Sequence, residues 1–157
     1  MSDSGRDFLR HTVATLAYRG GKVVRDAPPS FAAYDGGTRP PAKILAHIGD
    51  LLDWALSMAD GSKQWHDAEP LPWDEECTRF YAALQKLDDY LASEAPVACP
   101  LEKLFQGPVA DALAHTGQLA MLRRMSGAPM KSENYFAADV AAGRVGREQT
   151  PPKREFD

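Results

Sequence analysis

The sequence predicts an all-α fold: a four-helix bundle with long connecting loops and a short C-terminal helical segment. Three observations predict it. Apolar residues recur at three- and four-residue intervals in four separate stretches, Pro- and Gly-containing breaks divide those stretches, and no run alternates apolar and polar residues as a half-buried strand would. Four amphipathic helices can hide their apolar stripes only against one another, and a bundle is the arrangement that does so.

The first helix is expected over residues 3–25, where Phe8, Thr12, Thr15, Leu16 and Val23 share the helical spacing. Gly20 and Gly21 weaken its interior by roughly 1 kcal/mol each relative to Ala. Pro28 and Pro29 stop it, and the long connection 27–39 should pack on the body through Phe31 and Tyr34. The second helix opens with Thr38 or Arg39 as its cap and Pro40-Pro41 in the first turn, where a missing N–H costs nothing. Its stripe is Ile44, Ile48, Leu51, Leu52, Ala55 and Met58, and Gly61 suits its C-terminal cap.

After loop 62–72 the third helix starts near Trp73, with Asp74, Glu75 and Glu76 at the positive end of the helix dipole. Phe80, Ala83, Leu84, Leu87, Tyr90 and Leu91 form its inward stripe. A short helical turn is expected over 101–106, broken by Gly107. Pro108 then opens the fourth helix, which carries Ala112, His115, Leu119 and Leu122 inward and closes at Gly127. Residues 134–142 are one more short helical candidate. A single domain is expected over 1–146, followed by a polar tail, 147–157, that should fray.

At 157 residues the chain is one domain in length, and 44% hydrophobic with 25% charged residues is an ordinary globular composition. A net charge of −4 without clustered Lys and Arg argues against nucleic acid as a partner. Cys77 and Cys99 are the only cysteines, too few for a disulfide framework and not spaced as a zinc ribbon or redox pair. No stretch approaches the roughly 20 apolar residues of a membrane span, and the polar residues 1–10 lack the core of a signal peptide. A cytoplasmic location without membrane contact is expected. The common nucleotide-binding, nucleophile-elbow and HExxH signatures are absent.

What stands out is polar residues inside apolar stripes. His47 lies three residues after Ile44 and four before Leu51, so it points inward with them. His115 lies four before Leu119, and Asp111 lies four before His115 on the same face. An ionised Asp facing a core is costly unless it is paired or binds a cation. Two imidazoles and a carboxylate from two helices would make a three-ligand divalent metal site with open positions. An ion pair of Asp111 with either histidine, closing the interior without a cation, satisfies the same pattern. Periodicity does not choose between them. Gln118 continues the polar line, and Asp50 is placed either to support an imidazole N–H or to be solvated. Trp65, His66 and Trp73 are candidates for the mouth of the site. His11 reads as a surface residue, and Arg123-Arg124 suits the negative end of the fourth helix.

The segment Ala46-His47-Ile48-Gly49-Asp50-Leu51, taken with Asp111-Ala112-Leu113-Ala114-His115-Thr116-Gly117-Gln118-Leu119, resembles the DinB-like (DinB/YfiT) superfamily. Those proteins are four-helix bundles of about this length, so the resemblance covers nearly the whole chain. It implies a metal triad in which His47 takes the first place and His115, followed by Thr116-Gly117-Gln118, takes the last. The middle place, usually His in that family, is Asp111 here. The implied cofactor is one divalent ion (zinc, nickel, iron or manganese), with Gln118 and Asp50 orienting its ligands.

Characterised members include transferases that use bacillithiol or glutathione-like cosubstrates and isomerases that use mycothiol. The resemblance therefore implies a metal-dependent enzyme, a thiol transferase or a hydrolase, acting on a small-molecule partner; for a transferase the cosubstrate would be a low-molecular-weight thiol bound as thiolate. The alternative is a non-catalytic bundle, stress-related or ligand-binding, whose His/Asp trio is a structural polar cluster. A homodimer formed through surplus apolar surface is compatible with either reading.

Overall fold

The computed structural model describes residues 3–156 and is mostly helical. Its long helices are α1 (Ser4–Val24), α2 (Pro41–Asp60), α3 (Trp73–Ala92) and α5 (Ala110–Met125), with a single turn, α4 (Leu101–Leu104), leading into the last. Asp3 caps α1, its Oδ1 accepting from the N–H groups of Gly5 at 3.0 Å and Arg6 at 3.2 Å. Gly61 ends α2 in the left-handed region at φ 88°, a conformation that costs Gly little. Both α1 and α2 pack against α3 and α5, so the four form a ring in which α1 and α2 sit diagonally.

The ring closes on Leu16 from α1, Leu52 from α2, Phe80 and Leu84 from α3, and Leu119 from α5, all essentially inaccessible. Gly20 now has a reason. A Cβ there would stand 2.6 Å from the Phe80 ring, so the residue that weakens α1 locally admits a fully buried aromatic ring of α3.

Pro108 does not open a helix. It lies inside a π-helical turn, Phe105–Val109, that joins α4 to α5 without a break. Proline supplies no N–H and its ring crowds the carbonyl four residues back, which ends a regular α-helix. The wider turn, in which the Ala110 N–H reaches the Phe105 carbonyl, carries the chain past that obstacle.

The C-terminal region also differs from expectation. Residues 134–142 hold only a 3₁₀ turn, Tyr135–Ala137, capped by the Asn134 side chain accepting from the Phe136 N–H at 3.1 Å. The tail does not fray. Strands β1 (Ser132–Glu133) and β2 (Glu155–Phe156) pair antiparallel, and Lys22 of α1 bonds Glu133 at 2.7 Å and Glu155 at 2.8 Å. The Tyr18 hydroxyl donates to the other Glu133 oxygen. Arg147 lies over the Tyr81 ring at 5.0 Å and donates to Thr78 at 2.9 Å. A polar composition hides this docking, because buried and partly buried ion pairs achieve it rather than an apolar stripe. Arg123 is buried too: it donates to the carbonyls of Val23 at 2.9 Å, Arg25 at 2.7 Å and Ala128 at 2.9 Å, tying the end of α1 to α5 instead of merely complementing a dipole.

Candidate metal centre

The α2–α5 contact sets the site. His47 lies in the second turn of α2, Asp111 in the first turn of α5 and His115 in its second, and packing of the two helices brings the three side chains together. One ligand atom from each lies within 4.8 Å of the others. His115 Nε2 stands 3.4 Å from one Asp111 oxygen and His47 Nε2 stands 3.8 Å from the other. The imidazole rings meet edge to face at 4.8 Å between centroids. Both histidines are partly buried, whereas the Asp111 side chain is 50% exposed.

These contacts are close without being hydrogen bonds, which require about 2.7–3.2 Å for N–H···O. The 3.4 Å contact equals the separation of ligands about 2.1 Å from a tetrahedral ion, about 3.4 Å, while the 3.8 Å contact and the 4.8 Å span of the group are wider. The supporting bond points the same way. His115 Nδ1 lies 2.8 Å from Gln118 Oε1; in the neutral ring that donates this bond from Nδ1, Nε2 carries the lone pair and is free to ligate. In that tautomer His115 Nε2 and the Asp111 carboxylate are both acceptors, an arrangement that a cation between them would satisfy. The trio could therefore hold a metal ion, and two nitrogens with one oxygen suit a divalent transition metal while leaving positions open. Burial pushes the His47 imidazole below its ordinary pKa, His115 adds to this, and Asp111 opposes it. A neutral imidazole is the form that ligates.

A charged network that helical spacing alone does not reveal lies beneath the site. Arg79 of α3 reaches across to α2, donating to Asp50 at 2.5 Å, Asp53 at 3.0 Å and the Ala46 carbonyl at 3.0 Å, and to Glu76 at 3.2 Å. Burial works against its charge, but the bonds to Asp50, Asp53 and Glu76 outweigh it and leave the Arg79 pKa raised. Gly49 makes room for it, since a Cβ there would lie 2.9 Å from the guanidinium. The other oxygens of the same carboxylates hold loop 62–72: Asp50 accepts from the Ala68 N–H at 3.1 Å and Glu76 from the Leu71 N–H at 2.8 Å. The readable signal was Glu76, which lies four residues before Phe80 on the inward stripe and so needs a partner.

Asp50 thus supports the loop, and its hydrogen bonds go to Arg79 and Ala68 rather than to an imidazole. The supported loop places Trp65 edge-on to His47 at 5.8 Å and to Trp54 at 5.9 Å, as one wall of the site. His66 is exposed on the same loop, and among the described residues no bond ties it to the trio. Trp73 does not reach the mouth: it is buried edge-on to Phe31 at 5.5 Å. Cys77 is buried, and that burial pushes its thiol up to about 11, so it stays a protonated core group.

Comparison of the chain with protein-family models, curated proteins and solved structures finds no match.

Proposed function

We propose that this chain is a DinB-like metal protein in which His47, Asp111 and His115 hold one divalent ion (zinc, nickel, iron or manganese) and that it is a transferase acting with a low-molecular-weight thiol. The observation that carries the reading is the convergence, without a hydrogen bond among them, of two imidazoles and a carboxylate from adjacent helices, 3.4 Å and 3.8 Å apart, with Gln118 bonded to His115 Nδ1. When bound, such an ion lowers the pKa of a thiol ligand and so supplies a thiolate at neutral pH.

The chain's own residues do the rest. Asp111 brings the negative charge that offsets a cation, and its 50% exposure leaves the site open to a small molecule from solvent. Gln118 holds the His115 ring in one orientation. Trp65 screens His47 from water on one side, and the Arg79 network keeps the loop that carries it in place. Trp54, against which Trp65 rests, also lines an apolar groove of about 320 Å³ with Met58, Leu104 and Pro108, where an apolar electrophile would fit.

The test is elemental analysis of protein purified without chelators, repeated on His115→Ala. About one transition-metal ion per chain, lost in the variant, is expected, and Asp111→Asn should weaken metal binding ten- to a hundred-fold. Absence of metal in the parent protein even after adding divalent ions would overturn the reading and leave the trio a structural cluster in a non-catalytic bundle.

A further inference from the structure

A cleft of about 250 Å³ opens beside His47, bounded by the start of α2 and by loop 62–72. Arg39 and Lys43 line it from the α2 side, and Asp67 and Glu69 line it from the loop. All four are exposed, and among the described residues none of their side chains makes an ion pair or hydrogen bond. The arrangement is built. Asp50, 2% exposed, anchors the loop through the Ala68 N–H, and Glu76, fully buried, anchors it through Leu71. The acidic wall is thereby held facing the basic one without the two cancelling. His47 itself lines the cleft with Arg39 and Lys43, which places the basic wall within reach of the trio.

A cleft lined by one sign of charge would collect a plain anion or cation. Uncancelled opposite charges on separate walls of a concave surface focus a dipolar field instead. We propose that this cleft binds the zwitterionic headgroup of an α-amino acid, its carboxylate on Arg39 and Lys43 and its ammonium on Asp67 and Glu69, carried by the small molecule whose other end meets His47, Asp111 and His115. The identity of that other end as a thiol rests on the function proposed above; the headgroup does not.

Two series of probes separate the claims. L-serine, ethanolamine and 3-hydroxypropionate differ only in headgroup and lack a thiol, so they are titrated into metal-free protein while the Trp65 indole N–H is followed by NMR. Serine should bind at least about ten-fold more tightly than either truncated probe, the scale of one charge-assisted contact. Arg39→Ala with Lys43→Ala should reduce serine to the level of ethanolamine. Asp67→Asn with Glu69→Gln should reduce it to the level of 3-hydroxypropionate. These are exposed side chains, so the fold is not at stake. L-cysteine, cysteamine and 3-mercaptopropionate are then titrated into cobalt-loaded protein and read by the thiolate-to-cobalt absorption band. Equal binding across the serine series, or a preference that survives both double variants, overturns the headgroup assignment even where cobalt takes up cysteine. Serine discrimination in a protein that binds no cobalt upholds the headgroup and removes only the metal reading.

Discussion

His47 and Asp50 lie one turn apart on α2, yet they belong to charged clusters of opposite construction. Around Asp50, three carboxylates surround one guanidinium, the bonds are 2.5–3.2 Å long, Asp50 and Glu76 are buried, and their second oxygens are occupied by backbone N–H groups. Around His47 the atoms approach only to 3.4–3.8 Å, the central carboxylate is 50% exposed, and no hydrogen bond joins the three side chains. A buried charge must be fully satisfied or the fold fails. An exposed one can be left with coordination to spare, and spare coordination is what a ligand needs. The first cluster holds the loop in place. The second is available for chemistry.

The contrast predicts its own largest effect. Arg79→Ala leaves two buried carboxylates without a cation, and breaking such a pair costs about 3–5 kcal/mol. Urea denaturation should show that loss, with loop 62–72 becoming the first site of proteolytic cleavage. A loss below about 1 kcal/mol would place the Arg79 network with surface pairs and dissolve the distinction.

Lys22 gives the next effect. Its partner Glu133 is buried, and Glu155 sits on the terminal strand, so Lys22→Ala should cost about 2 kcal/mol, the worth of hydrogen bonds to charged groups, and free the tail to proteases. The pH dependence follows from the Lys22 bond, which holds the Glu155 carboxyl below its ordinary 4.5. Its contribution is present above 4.5 and is lost as pH falls through the lower folded value. Tail cleavage by an acid-active protease should therefore increase below pH 4.5 in the parent protein, while Lys22→Ala should already be cleaved at neutral pH.

These clusters also mark what the sequence could convey. His47, Asp111 and His115 were legible because i, i+4 spacing puts Asp111 and His115 on one face of α5, with Gln118 at i+3; the expected inward direction of Asp111 did not hold, since that face lies at the rim and leaves its carboxylate half-exposed. Arg79 was not legible, because Asp50 and Asp53 lie on another helix and only the ring order of the bundle brings α3 beside α2. The tail was misread for the same reason: Lys22 and Glu133 are 111 residues apart, and no local pattern links them. Pro108 was misread because its composition argues for a break, and the π turn that avoids one depends on α4 and α5 packing as a single column.

Within the open cluster, Gln118→Ala removes the bond that orients His115. Metal affinity should fall ten- to a hundred-fold, the usual cost of losing a ligand's supporting partner. Gln118→Glu should restore most of it, because a carboxylate also accepts from Nδ1. Equal affinity in all three proteins would show that α5 alone orients the ring.

The smallest expected effect is the most discriminating. In metal-free protein at pH 7.5, Asp111→Asn should change the unfolding free energy by no more than about 0.5 kcal/mol, because the half-exposed Asp111 makes only long, solvent-screened contacts with the two imidazoles. The same substitution should weaken metal binding at least ten-fold. A structural plug would give the reverse pattern: a cost of 2 kcal/mol or more without metal, comparable to losing a hydrogen-bonded buried charge, and no metal affinity to lose. Chemical denaturation and metal titration on this one variant therefore decide whether the two clusters of α2 differ in kind or only in burial.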